Sequence, residues 1–189
     1  MSKRRTDVHH HVVPPAYTQW LHSKGQDAGG LPIPAWSHES AISLMDDYEI
    51  EASVLSVSTP GVHLGDDMEA RRMARVVNEF AADVVVRSPA RFGFLATLTI
   101  PDVEGSIAEA TYALDPLEAD GVVLLANAHG QYLGAPELDP LFAELDRRAA
   151  VVFVHPSMLP APGVPGLPPF TVDFLLDTTR AAANLVQNG

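Results

Sequence analysis

The chain has 189 residues, 47% apolar and 19% charged, a globular composition with room for one good-sized core. Twenty-four acids against 12 Lys and Arg leave a formal charge of −12, which repels nucleic acid phosphates and anionic membrane surfaces, so neither is an expected partner. Cysteine is absent, which excludes a disulfide framework, a thiolate nucleophile and a cysteine metal site, and leaves histidine and carboxylates as the available metal ligands.

The basic residues near the start meet Asp7 and a run of histidines before any apolar stretch forms, so no signal-peptide pattern is present. No segment reaches the roughly 18 apolar residues of a membrane-spanning helix. The expectation is a single domain over residues 1–189, located in the cytoplasm.

Apolar runs and helical patterns alternate along the chain. A first short strand is expected at about residues 5 to 11, followed by a Pro/Gly-rich segment (V-V-P-P to G-G-L-P-I-P) read as a long loop and a candidate active-site cover. A helix starts after Ser37, a suitable N-cap, with Ile42, Met45 and Tyr48 or Glu49 at helical spacing. Ala52 to Ser58 (A-S-V-L-S-V-S) reads as the second strand. From Asp66 to about Val86, Met73, Val77, Phe80 and Val84 share one helical face.

The third strand is R-F-G-F-L-A-T-L (Arg91 to Leu98), and a helix carrying Ile107, Ala110 and Leu114 follows Asp102. G-V-V-L-L-A (Gly121 to Ala126) is a fourth strand. Leu138, Leu141, Phe142, Leu145 and Ala149 then line one face of the clearest helix in the chain. V-V-F-V-H (Val151 to His155) is a fifth strand, and a Pro-rich loop leads to a last helix at about Phe170 to Val186. Strand-helix units with strands apolar on both faces predict a parallel sheet with helical crossovers. Spacing alone leaves two closures open, a doubly wound open sheet and a (β/α) barrel.

Within the first strand stands D-V-H-H-H-V, Asp7 to Val12. Residues two apart on a strand point to one side, so His9 and His11 can present both imidazoles to one point while His10 faces away, with Asp7 on the side of the pair. Neutral imidazole is a preferred ligand for zinc and similar ions. By itself His-x-His fits a polar strand end equally well. Support comes from V-F-V-H-P-S (Val152 to Ser157), where His155 ends the fifth strand and Pro156 breaks it. Ligand sites of parallel α/β folds gather at the carboxyl ends of strands, where both histidine groups lie. The only lysines, Lys3 and Lys24, sit on no plausible inner strand end, which argues against a lysine-bridged two-metal centre and for a single ion.

Asp7-Val8-His9-His10-His11 together with V-F-V-H-P resembles the amidohydrolase-related family that includes aminocarboxymuconate-semialdehyde decarboxylase. S-V-S-T-P-G-V-H-L-G (Ser56 to Gly65), S-P-A-R-F-G-F-L-A-T-L (Ser88 to Leu98) and Y-L-G-A-P-E-L-D-P-L-F-A-E-L (Tyr132 to Leu145) look closest to the branch containing 6-methylsalicylate decarboxylase. The resemblance runs from Asp7 to the end of the chain. It implies a (β/α)₈ barrel holding one divalent metal, zinc being the expected ion, and His9, His11 and His155 match three of the family's ligands. The family's aspartate ligand after strand eight and its later assisting histidine have no counterpart before Gly189. The expected architecture is therefore an incomplete (β/α)₈ barrel of about five units, an N-terminal portion without strands six to eight. With open edges, such a barrel is expected to close differently, to associate with another chain, a homo-oligomer included, or to be marginally stable.

Asn127 and His129, in L-L-A-N-A-H-G-Q-Y-L-G, and His63, in T-P-G-V-H-L-G, follow strands four and two on the same rim and are candidates to bind a substrate carboxylate or hydroxyl. Trp36 is expected to pack, and His22 and His38 to be exposed. No G-x-G-x-x-G after a strand, no phosphate-binding G-x-x-x-x-G-K-[ST] and no G-x-S-x-G elbow occurs. The function expected is a metal-dependent carboxy-lyase for a small aromatic or dienoic carboxylic acid. The alternatives are a metal-dependent hydrolase of an ester, lactone or amide, and an inactive fragment acting by association. The family's acid/base residues would lie beyond Gly189.

Overall fold

Five short β-branched runs separated by helices can hydrogen-bond in parallel only through crossovers, and the order of those crossovers decides the architecture. In the computed structural model, which describes residues 5–188, the strands are β1 (Arg5–His11), β2 (Ile50–Ser56), β3 (Phe92–Thr97), β4 (Gly121–Leu125) and β5 (Val152–His155). They pair in sequence order, β1-β2-β3-β4-β5, all parallel. A doubly wound sheet reverses direction at a switch point, and this sheet has none. It is an arc of a (β/α)₈ barrel with five units present, which settles the choice that spacing left open.

The helices follow in chain order: α1 (Pro15–Ser23), α2 (His38–Asp47), α3 (Asp67–Arg87), α4 (Val103–Leu114), α5 (Asp139–Arg147) and α6 (Pro169–Asn188). Three begin at the caps that the residues suggest. Ser37 and Ser40 form a reciprocal capping box on α2, Asp66 accepts from the Glu69 N–H, and Asp102 accepts from the Gly105 N–H. The core lies between this helical layer and the outer face of the sheet, where Met45, Leu55, Met73, Val77, Phe94, Leu124 and Leu141 are buried. Asn78 of α3 joins the two layers: its Oδ1 accepts from the Thr97 N–H at 2.8 Å and its Nδ2 donates to the Thr97 carbonyl at 2.9 Å.

Two expectations need correction. The segment after β1 is not a continuous loop but contains α1, with Pro15 in its first turn and Tyr17, Trp20 and Leu21 buried. Proline in the first turn lacks an N–H that would be unpartnered anyway, so a Pro-Pro pair can open a helix as well as break one. His38 is also not freely exposed, because its Nε2 lies 2.9 Å from the Ser88 hydroxyl and its ring packs against Phe92. Trp36 packs edge-on against Phe80 of α3, as a structural residue would. A two-stranded antiparallel ribbon, Asn127–Ala128 with Gln131–Tyr132, rises from the end of β4.

Candidate metal centre and adjoining cavities

The first strand is irregular where the histidines lie. Asp7 pairs with Ser53 and His10 with Leu55, three residues on β1 against two on β2, which is a bulge. The extra residue shifts the side-chain alternation, so Asp7 falls on the same face as His10 instead of beneath His9 and His11. Asp7 Oδ2 lies 3.2 Å from His10 Nδ1, and Asp7 Oδ1 accepts from the His9 N–H at 3.0 Å. The expected inward placement of Asp7 is thus corrected: it braces the strand and the outward histidine. His9 and His11 face the concave side, as the strand period predicts.

The curl of the sheet then brings the end of β5 to the end of β1. His155 Nε2 lies 3.3 Å from His11 Nε2, and the His9 ring centroid is 4.7 Å from that of His11 and 4.9 Å from that of His155. One nitrogen from each ring can be chosen so that all three lie within 4.8 Å of one another. His155 Nδ1 is 2.7 Å from the Pro156 carbonyl, which can only accept, so Nδ1 carries the proton and the Nε2 lone pair faces His11. Burial pulls the His155 pKa down to about 4, with His11 and His9 adding to the shift. Burial, then the His9 charge, holds His11 low as well. Both shifts favour the neutral form of the His155 and His11 rings, the form that metal ligation requires. Among the described residues, His11 Nδ1 is buried without a hydrogen-bond partner of good geometry. A divalent ion coordinated by imidazole at about 2.0–2.1 Å sets neighbouring tetrahedral ligands about 3.3–3.4 Å apart, so the donor set fits such an ion.

Beside these rings lies a cavity of about 420 Å³ that reaches from β1 to α1 and α6. Its roof is the Pro-rich segment around Leu31, Pro32 and Ile33, with Phe170 and Phe174 on the far wall. Among the described residues, no Lys, Arg, Asp or Glu lines it. Tyr17 also lines it, but its hydroxyl donates to the Gly61 carbonyl at 2.7 Å and is not available to a ligand. The roof is seated through Gly29, which has φ +67° and whose position would put a Cβ 2.6 Å from Thr59 Cγ2 and 3.2 Å from Phe174 Cζ. The segment expected to form a cover lines this cavity, and α1 forms part of it.

A second cavity of about 370 Å³ shares Thr59 with the first and is lined by His63, Asn127 and His129. His63 Nδ1 accepts from the Gly65 N–H at 3.3 Å, so its Nε2 carries the proton and donates to Asp67 Oδ1 at 2.8 Å. His129 Nε2 lies 3.2 Å from His63 Nδ1 and 3.1 Å from the His63 carbonyl. The structure therefore joins these two histidines to each other, across loops 66 residues apart in the chain. Thr59 Oγ1 and Thr97 Oγ1 at this cavity are buried without hydrogen-bond partners among the described residues. Neither was singled out from the sequence, and no local signal marks such a threonine.

Asn127 is buried, and its amide is fully engaged. It donates to the Met158 carbonyl at 3.0 Å and to Asp177 Oδ1 at 2.8 Å, and it accepts from the Gly130 N–H at 3.1 Å. Asp177, with no exposed surface, also accepts from the Tyr132 hydroxyl at 2.8 Å and from the Ser157 N–H at 2.7 Å. Sequence reasoning missed this residue. The signal was available in α6, where Asp173, Asp177 and Ala181 recur every four residues and form the buried stripe, while Leu175 and Leu176 are exposed.

Residues 6–184 match the amidohydrolase family model. The chain is 38% identical to the decarboxylase yanB of Aspergillus niger, over 98% of this chain and 54% of that protein. It is 36% identical to the 6-methylsalicylic acid decarboxylase acuB of Aspergillus aculeatus, over 98% of this chain and 58% of that protein. A crystal structure of an amidohydrolase II superposes with a TM-score of 0.91 at 32% identity, covering 96% of this chain and 61% of that one. The chain thus spans a little over half the length of these curated relatives. With the parallel arc, the histidines at the ends of its first and fifth strands and these matches in agreement, the chain belongs to the amidohydrolase family.

Proposed function

We propose that the chain carries the metal-binding and substrate-holding part of a metal-dependent decarboxylase acting on a small aromatic carboxylic acid. The observation that carries this reading is the position of the three histidines at one end of a cavity with no charged lining residue. His9, His11 and His155 would hold one divalent ion, and three imidazoles favour zinc among the common choices. Such an ion, when bound, supplies positive charge to orient a carboxylate and an adjacent oxygen.

The apolar walls do the rest of the binding. Val12, Leu31, Ile33, Phe170 and Phe174 offer ring-sized surfaces and few hydrogen-bond partners, which suits a flat aromatic ring and excludes water from its carboxylate. Stripping water from a carboxylate raises the energy of the anion relative to uncharged CO₂, which favours loss of CO₂; the ring carbon keeps the bonding pair and takes up one proton in its place. His63 and His129 line the neighbouring cavity, where ring substituents or a released small product fit. Asn127 shapes the wall of that cavity by holding its two loops. The relatives named as 6-methylsalicylic acid decarboxylases support the aromatic class.

The test is product analysis of the zinc-loaded protein with carboxyl-¹³C-labelled 2-hydroxy-6-methylbenzoate, beside aryl esters and lactones. Metal-dependent release of ¹³CO₂ is the expected result. Ester or lactone cleavage without CO₂ release from any aromatic acid would overturn the reading in favour of hydrolysis.

A further inference from the structure

His155 is oriented from behind by a peptide group whose two ends are both engaged. Its Nδ1–H donates to the Pro156 carbonyl at 2.7 Å. The N–H of that same peptide unit belongs to Ser157, and it donates to Asp177 Oδ2 at 2.7 Å. A peptide is planar, with C=O and N–H on opposite sides in the trans form, so fixing one end fixes the direction of the other. The flanking backbone is held too, since the His155 carbonyl accepts from the Ala126 N–H at 2.7 Å and the Met158 carbonyl accepts from Asn127.

We propose that Asp177 is a positioning residue for the metal-binding histidine, acting through the Pro156–Ser157 peptide to hold the His155 ring with Nδ1 protonated and Nε2 aimed at the ion. This inference rests on the metal reading of the three histidines. The chain of contacts runs from a buried carboxylate to a peptide N–H, through its carbonyl to Nδ1–H, and across the ring to Nε2. Each hydrogen bond polarises the next, so the carboxylate makes the Pro156 oxygen a better acceptor and the imidazole a more basic ligand. Partners behind a ligating histidine usually bind it directly; here one peptide unit stands between.

Asp177 suits this role because three donors converge on its two oxygens, and a neutral amide in the same pose cannot meet all three. With Oδ1 retained for Asn127 and Tyr132, the amide of Asp177→Asn would turn its NH₂ toward the Ser157 N–H and break the link to His155 selectively. Tyr132→Phe is the control, since it removes one donor from the same carboxylate but leaves the Ser157 bond in place.

Zinc and cobalt affinities of the three proteins, measured by competition with a chromogenic chelator, form the first readout. Asp177→Asn is expected to bind about 10- to 100-fold more weakly, the usual effect of losing an outer partner of a ligand, and Tyr132→Phe within about threefold of wild type on the same scale. The second readout needs no metal: ¹⁵N spectra of the histidine rings should report the Nδ1–H form at His155 in wild type and Tyr132→Phe, and a mixture of tautomers in Asp177→Asn. Near-UV circular dichroism checks that packing is kept, and if Asp177→Asn does not fold, Ser157→Pro is read in its place: it removes the N–H itself, leaves Asn127 and Tyr132 on the carboxylate, and is expected to show the same loss of affinity and mixture of tautomers. An unchanged affinity and tautomer with only a lower melting temperature would show a purely structural carboxylate and overturn the proposal. Absence of metal binding in wild type would instead overturn the metal reading, while the tautomer comparison would still decide whether Asp177 sets the ring.

Discussion

Replacing His155 by alanine removes one corner of the three-histidine group, and the geometry sets the size of the effect. The His11 and His155 nitrogens are already 3.3 Å apart, close to the ~3.3–3.4 Å edge of a tetrahedral imidazole site. Four-ligand zinc sites bind with roughly 10–16 kcal/mol, so an equal share is about 3–4 kcal/mol per ligand, or about 10²–10³-fold in affinity. His155→Ala should therefore bind zinc or cobalt at least about 100-fold more weakly than wild type. The control is His10→Ala, because His10 neighbours both strand-one ligands in sequence but faces Asp7 and Phe92 on the opposite side. Its metal affinity should stay within about threefold of wild type, even if it melts earlier through loss of the Asp7 contact. Chelator competition measures both variants. A His155→Ala affinity within threefold of wild type, or a His10→Ala loss as large as that of His155→Ala, would refute the assignment of inward and outward histidines.

Asn78→Leu keeps the side-chain volume but leaves the Thr97 N–H and C=O without their partner; at about 1–3 kcal/mol for each buried unpaired group the loss should be about 2–6 kcal/mol, read from urea unfolding. Gly29→Ala forces a residue at φ +67° and drives a Cβ against Thr59, costing at least about 1–2 kcal/mol, and ligand binding in the cavity beside the histidines should weaken with it; unchanged melting would show that the segment yields freely. The Asp102 carboxyl is held below its usual value by the Arg71 guanidinium, which donates two hydrogen bonds at 2.6 and 2.8 Å, and by the Gly105 N–H. Its contribution to stability is therefore complete above the unfolded carboxylate range and lost as pH falls toward the lower folded value. Asp102→Asn should flatten that acid limb of the stability curve, and an unaltered limb would place the acid sensitivity elsewhere.

Much of the fold could be read locally because period and capping are local properties. Ser37, Asp66 and Asp102 mark the starts of three helices, and all five strands appear within about two residues of their expected bounds. The failures were of two kinds. In α1 a proline pair that reads as a breaker instead occupies a first turn. In α6 the buried stripe is acidic, so an apolar-face rule looks at the wrong side of the helix.

The pairing of His9 with His11, and the candidacy of His155, were legible in the sequence, since alternation along a strand and placement at a strand end follow from neighbouring residues. What tertiary structure decided is whether those groups meet. A singly wound order curls the sheet and closes 144 residues of separation to 3.3 Å between His11 and His155. A bulge of one residue moved Asp7 from beneath the pair to the back of the strand, and a carboxylate on the last helix came to rest behind His155 through a peptide unit. Bulges and long-range partners depend on which backbone groups lie opposite each other in space, and one-dimensional periodicity carries no information about that.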